Sequence, residues 1–594
     1  MDGFWQRLRQ RKLVQWALAY VAAAFAFIQV LDVIAQRFGW PDRVEKLIIL
    51  ALAVGFLVML VLAWYHGEKG AQRIGGGELL IIALLLAIGG GALWAYTRAP
   101  ATAAAKRVPS VAAAAAAPAS APAPFHPPAD TLVVLPFTNL GGDPKQQYFS
   151  DGITEELTNT LGQNTGLRVI AWDTASKFRN STQSATDIGR QLDVANVLTG
   201  KVLRQGNEVR VIVELVNATS GYQVWASHYD DNLKNIFGVQ DKISASIADA
   251  LKVKFAAARA VHTVNPQAYD LVQQARALMN KALSGAPLEK ARSLLERAVA
   301  LDPDYADAHA ELAAAWWDLS AYTTISPKMI LSKSRAEAHH ALALEPNNVE
   351  ALLVLAAADG IRGKYAEAAA GYRRVLELDP SNALAHLNYA LLLPTRQAMA
   401  ETQQAVRLDP DSTSAQNNLA VGYLNLGEYA KALPLSLTVM KMDPHSVGSA
   451  FSLAMNYALL HRHEDAVKAF DQVQPDTALG KALVAAGKLA YQSVLDPKLH
   501  AQALAAADSL HQRTNLDPDS LYNLFQVYLV LGEKSVALQL LDRSCAPVPF
   551  DCADFAVNPT YIPLRRDPRF EALEKKYDVI ARLPASATPV SSSP

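Results

Sequence analysis

A chain of 594 residues has room for about four domains of ordinary size. Its 55 Lys+Arg are balanced by 56 Asp+Glu, so no basic excess points to nucleic acid, and its two cysteines exclude a disulfide-dense scaffold or a cysteine-rich zinc site. Apolar residues reach 51% and mean hydropathy is +0.08, high for a soluble chain, so part of the sequence is expected to sit in lipid.

Three stretches near the N-terminus, 13–35, 47–65 and 79–97, are each about long enough to cross a bilayer as a helix. The second and third carry no formal charge, whereas the first contains Gln15, Gln29 and Asp32. Arg7, Arg9, Arg11 and Lys12 precede the first stretch, and Lys69 and Arg73 lie between the second and third. By the positive-inside rule these cations keep the N-terminus in the cytoplasm. Residues 1–98 therefore read as an anchor of three transmembrane helices in a bacterial inner (cytoplasmic) membrane, with the bulk of the chain periplasmic. The run VAAAFA could instead end a cleaved signal peptide, which leaves the destination unchanged. Residues 99–130, with VAAAAAAPASAPAPFHPP at their centre, form an Ala/Pro-rich linker.

The globular part begins at TLVVLPF, an apolar run suited to a buried strand. Ser150 is placed to cap the next helix, where Ile153, Leu157 and Leu161 share one face. LRVIA (167–171) reads as a second strand, and a helix around Asp187–Leu192 follows. NVLTGKVLR, EVRVIVELVN and YQVWASHYD are three β-runs separated by the hairpin-type turns QGN and ATSG. A helix from about Leu233 to Lys254 closes a mixed-sheet α/β domain over 131–256, with the order βαβαβββα. Gly141 and Gly142, between the first strand and helix, match neither G-x-x-x-x-G-K-[ST] nor G-x-G-x-x-G, and Asp143 beside them would repel phosphate. They read as turn residues. VVLPFTNLGGDPKQQYFSDGITEEL and DIGRQLDVANVLTGKV, with the Gly221–Trp225 to Phe237 region, resemble the amino-terminal domain of TolB and its relatives. That resemblance implies protein contact and not catalysis.

Beyond Pro266 the composition turns helical, with LDP at 301–303, LEP at 344–346, LDP at 378–380 and 408–410, MDP at 442–444 and LDP at 516–518. The proline intervals 346 to 380 and 410 to 444 are each 34 residues, the tetratricopeptide (TPR) period of two helices per unit. AQNNLAVGYLNLGEYAKALPLSLTVMKMDP resembles the TPR motif, with Leu419, Ala420, Tyr423, Gly427, Tyr429, Ala432 and Pro444 in its expected places. In the preceding full unit Asp359 replaces an aromatic, the unit around Pro410 is short, and His461 and His463 replace the Gly and Tyr of the next. Seven or eight units are expected over 266–551, forming an all-α superhelix with a concave surface. A capping segment and disordered tail are expected over 552–594, where PTYIPLRRDPRFEALEKKY resembles the end of proteins that join a TolB-like module to TPR repeats. Relatives of that architecture often carry a cyclase or winged-helix domain in front; about twelve residues before the first span leave no room for either.

No catalytic, cofactor-binding or metal-binding residues are expected. The thirteen histidines include no H-E-x-x-H, and the close sets His339–His340 and His461, His463 point to different sides of a helix. No G-x-S-x-G elbow occurs; Asp230–Asp231, at a strand's end, reads as a solvated turn and Trp316–Trp317 as repeat packing. The expected function is a membrane-anchored periplasmic scaffold that binds proteins or extended peptides, and neither nucleic acid nor a small-molecule substrate. The alternative is a transmembrane sensor or signalling subunit. Asn388, Asn418 and Asn523 occupy one position in their units, where an amide can both donate to and accept from a peptide backbone. Pro547 and Pro549 break any helix between Cys545 and Cys552, so the two thiols can close a short disulfide loop contributing about 2–3 kcal/mol.

Overall fold

The computed structural model describes residues 125–253, 263–282, 284–322, 325–514, 516–547, 555 and 557–577. Among them no helix is long and apolar enough to cross a membrane. This corrects the fold class: an α/β domain and an all-α repeat array are present, and no transmembrane helix is found among the described residues. The inner-membrane and periplasmic placement, which rested on such helices, falls with it. The stretches 13–35, 47–65 and 79–97 that were expected to span lie outside the described residues.

The α/β domain runs β1 (Thr131–Val134), β2 (Thr138–Asn139), α1 (Gln147–Gly162), β3 (Arg168–Val169), α2 (Trp172–Ser176), α3 (Ala185–Leu192), β4 (Asn196–Gln205), β5 (Glu208–Asn217), β6 (Gln223–Asn232) and α4 (Ile236–Ala250). One mixed sheet has the order β3-β1-β4-β5-β6, with β2 continuing the line of β1 along β4. Strand β1 is parallel to both β3 and β4, and β4-β5-β6 is an antiparallel meander. Buried Val209, Val211, Val213 and Leu215 alternate along β5, the period-two pattern that turns one face of a strand toward a core. That face meets Ile153, Leu157 and Leu161 of α1 and Ile236, Val239, Ile243 and Ile247 of α4. The glycine turn is held by Asn139, whose Oδ1 accepts from Gly141 N at 2.9 Å while its Nδ2 donates to Asp143 O at 2.8 Å. Gly142 sits at φ 72°, a conformation that costs a residue without a Cβ little. Ser150 is not the cap. Asp143 accepts from Lys145 N and opens a short 3-10 turn, so α1 starts upstream and Ser150 is buried within it.

Eight helix pairs follow: α5 (Pro266–Met279) with α6 (Gly285–Leu301), α7 (Ala306–Asp318) with α8 (Pro327–Leu344), α9 (Val349–Ile361) with α10 (Tyr365–Leu378), and α11 (Ala383–Ala390) with α12 (Thr395–Leu408). The array continues with α13 (Thr413–Asn425) and α14 (Tyr429–Met442), α15 (Val447–Leu459) and α16 (His463–Ala469), α17 (Ala478–Leu495) and α18 (His500–His511), α19 (Pro518–Val530) and α20 (Lys534–Cys545). Helix α21 (Pro568–Tyr577) covers the end. These are TPR-like helical hairpins, and their punctuation has local causes. After the proline triplets, Asn348, Asn382, Ser412 and Ser446 each accept a backbone N–H at the start of the next helix. Six residues past three of the prolines a side chain reaches back to the proline carbonyl: His309 to Pro303 at 3.1 Å, His386 to Pro380 at 3.0 Å and Gln416 to Pro410 at 2.9 Å. Gly363, Gly427 and Gly532 end their first helices with positive φ, and His461 takes the same left-handed conformation where glycine is replaced. The short unit is explained by Pro394, whose ring in a continued helix would clash with the carbonyl four residues back, so α11 stops at Ala390 after eight residues.

Candidate functional site

The α/β domain is built into the array. At one contact, α1 lies on α5, and Glu156 receives hydrogen bonds from Arg276 Nη1 and Gln273 Nε2, both at 2.7 Å, from Tyr269 Oη at 3.2 Å and from Gln240. Arg276 also donates through Nε to Glu311 of α7 at 2.6 Å. Glu156 and Arg276 are 7% and 8% exposed, so each charge depends on the other for its solvation. At a second contact, the β3–α2 segment lies on the proline turns of the repeats. Ala171 N donates to Leu408 O at 2.7 Å, Val169 N to Ser381 Oγ at 3.1 Å and Thr174 Oγ1 to Asp409 Oδ1 at 2.6 Å. Lys177 pairs with Asp411 at 3.1 Å.

Between the two contacts lies a cavity of about 870 Å³, bounded by α1 and α2 on one side and by α5, α7, α9 and α11 on the other. Its charge is one-sided. Glu155 and Asp173 line it from the α/β domain, and Glu311, Asp318 and Glu350 from the repeats, with Asp379 and Asp409 at its turn edge. Arg276 is the one cationic residue in the lining, and Glu156 and Glu311 already engage it. Burial pushes Glu350 up to about 8, with Glu311 and Asp318 adding to the rise. Burial likewise raises Glu155 to about 7, although Arg276 opposes it, and raises Asp318 to about 6. Among the described residues, no hydrogen bond or ion pair engages the Glu350 carboxylate. Leu353, Val354, Ala357, Ile361, Leu384 and Leu387 supply apolar surface alongside the acids.

Of the amides singled out in the sequence, Asn388 lines this cavity beside Tyr372, whose hydroxyl it contacts. Asn418 on α13 is half-buried and is not among the lining residues, and Asn523 on α19 is buried. The structure thus does not bring the three together in one cavity. Cys545 is buried and disulfide-bonded; Cys552 lies outside the described residues, and the Cys545–Cys552 bridge stands as a proposal. Asp230 and Asp231 lie within β6 and not in a turn, paired with Arg210 at 2.5 Å and Lys242 at 3.7 Å. Trp316 is core, but Trp317 faces the cavity. His340 stacks on His309 with ring centroids 4.1 Å apart. Among the described residues, no group of three or more His, Cys, Asp or Glu side chains could hold a metal ion.

The acids of the cavity were missed in the sequence because they come from helices far apart in the chain. Their one trace was the substitution of Asp359-type polar residues into otherwise apolar first helices, with Glu311, Asp318 and Glu350 as examples.

Residues 129–246 match the family model of the HilA/YgeH-like transcriptional regulator, second domain. A curated relative named putative adenylate cyclase 3, from Rhizobium meliloti (strain 1021), is 38% identical over 198 residues, which is 32% of this chain and 33% of that protein. The chain therefore spans about a third of that relative's length. Among solved structures, Pseudomonas aeruginosa PilF is similar at 19% identity and a TM-score of 0.30, over 35% of this chain and 90% of that one. YrrB, described as a TPR protein with an unusual peptide-binding site, is similar at 20% identity and a TM-score of 0.25, over 32% of this chain and 95% of that one.

Proposed function

We propose that this chain is a protein-interaction scaffold whose first repeats and α/β domain together receive an extended, basic segment of a partner protein. The supporting observation is the cavity of about 870 Å³ lined by seven carboxylates and a single, already paired guanidinium. A Lys- or Arg-bearing peptide would bring counter-charge to these acids, of which Glu155, Glu311 and Glu350 are half-buried. Asn388 would hold its backbone, and Leu353, Ile361 and Leu384 would take the stems of its long side chains. Asn418, one unit further along, would extend the same contact outside the cavity. The α/β domain acts as one wall of the groove, which explains its dense hydrogen bonding to the repeats.

The test is fluorescence anisotropy with the full chain and a panel of extended peptides rich in Lys and Arg, set against sequence-matched Asp/Glu versions. Basic peptides should bind, more weakly as salt rises, and the substitutions Glu350→Gln with Glu311→Gln should weaken them. Equal binding of both panels, or binding that ignores the two substitutions, would remove the reading.

A further inference from the structure

The sheet ends in β6, which pairs with β5 and, among the described residues, with no other strand. The two edges differ. Strand β3 is two residues long and is covered by the Ser381 turn, whereas β6 runs ten residues and, among the described residues, nothing pairs with its outer backbone groups. From Tyr222 to Tyr229 the chain has no charge, no proline and no glycine, the devices by which proteins keep an edge from pairing. Its two acids are neutralised within the chain, Asp230 by Arg210 and Asp231 by Lys242. Val224, Ala226 and His228 face solvent, Val224 at 47% exposure and neighbouring Tyr222 at 78%. Trp225 and Tyr229, on the other side of the strand, pack on the core.

We propose that β6 pairs antiparallel with β6 of a second copy of this chain, about a two-fold axis at Ala226 or Ser227. The occupant follows from the strand's own pattern. In antiparallel self-pairing, solvent-facing residues stay with solvent-facing ones only when some residue lies opposite its own copy. Centred on Ala226, such a register sets Val224 opposite His228 and Tyr222 opposite Asp230. Centred on Ser227, it sets Trp225 opposite Tyr229 on the core side and Val224 opposite Asp230 on the other. Neither places an acid opposite an acid, and both pair aromatic or β-branched side chains across the join. The strand is thus its own complement in face and charge, and the two sheets become continuous.

Sedimentation velocity of the full chain over a concentration series should show a reversible dimer. The double substitution Val224→Lys with Ala226→Lys adds two charges to exposed positions outside the packed core and should leave only monomer where the parent is dimeric. The far-UV circular dichroism spectrum should not change. As an arm that does not depend on those variants folding, Ala226→Cys or Ser227→Cys should yield a covalent dimer under mild oxidation, while a cysteine at exposed Lys201, distant from the edge, should not. A parent that stays monomeric at every soluble concentration overturns the proposal. So does a dimer that survives the two lysines, or one that neither edge cysteine cross-links.

Discussion

The two halves of the repeat array are stabilised in different ways. From α5 to α8 the repeats share one apolar core with the α/β domain, in which Tyr269 packs edge-on against Phe149 and Phe237, and from α9 to α12 the packed clusters are small, as in the group around Leu353, Tyr365, Tyr372 and Tyr389. The contact with the α/β domain combines that apolar core with buried charges and hydrogen bonds. From α15 to α21 one continuous core runs to the end, and its rings pack on one another: Phe555 to Tyr561 at 5.1 Å, Phe555 to Phe570 at 5.3 Å and Tyr561 to Phe570 at 5.4 Å. A half that has a second domain on it can leave charge and cavity at its inner face, because that domain excludes water from the rest. A half without such cover closes on its own apolar surface. Under the proposed function the first half receives the partner, while the second supports itself.

The largest effect is expected from Arg276→Ala, which strands the buried Glu156 carboxylate between domains and should cost about 4 kcal/mol. Hydrogen exchange should then rise in α1 and α5 while α19 to α21 stay protected; a loss of protection spread evenly over both halves would erase the distinction. Next comes Phe570→Ala. Its ring is 1% exposed at the centre of the terminal cluster, and truncation should cost about 3 kcal/mol and loosen α19 to α21 with α1 unaffected.

A smaller effect concerns pH. Glu350 and Glu155 are raised to about 8 and about 7 from an ordinary 4.5, so the unfolded chain ionises them first. They therefore favour unfolding increasingly as pH rises from about 4.5 to 8, and no further above that. Both keep part of their surface in water, which screens the cost. Glu350→Gln should leave the urea midpoint unchanged near pH 4 and raise it at pH 8.5, and an equal shift at both values would show that burial of charge is not the cause. Binding of a basic peptide has the opposite sign: it favours the ionised acids and should strengthen from pH 6 to 8 with release of protons.

The smallest effect is expected in the second half. His461→Gly relieves a side chain at φ 58° and should stabilise the chain by about 0.5–1 kcal/mol. A destabilisation there would mean that the His461 ring, 6.5 Å from that of His463, has a role beyond filling a glycine position.

Much of the fold was legible residue by residue. The proline triplets, the Asn and Ser caps and the terminal glycines each impose a local backbone state, so the repeat frame was readable even where Asp359, His461 and the short Pro394 unit depart from it. The hairpins QGN and ATSG set the register of β4, β5 and β6 for the same reason. Boundaries were less legible. Ser150 has the chemistry of a cap, but Asp143 and its 3-10 turn start the helix earlier, and LRVIA yields only two residues of strand because α2 docks on the repeats.

The sequence by itself therefore determined the units: a mixed sheet with its helices, a 34-residue helical repeat and the turns between them. Each of those depends on interactions between residues a few positions apart, which periodicity and turn chemistry record. The tertiary structure alone decided which surfaces those units share. Glu156 meets Arg276 across 120 positions and Thr174 meets Asp409 across 235, and nothing in a local pattern says which of many polar side chains will find one another. The cavity and its acidity are products of that docking. Amphipathic periodicity tells a helix which face to bury, but only packing against a distant element decides what that face will see.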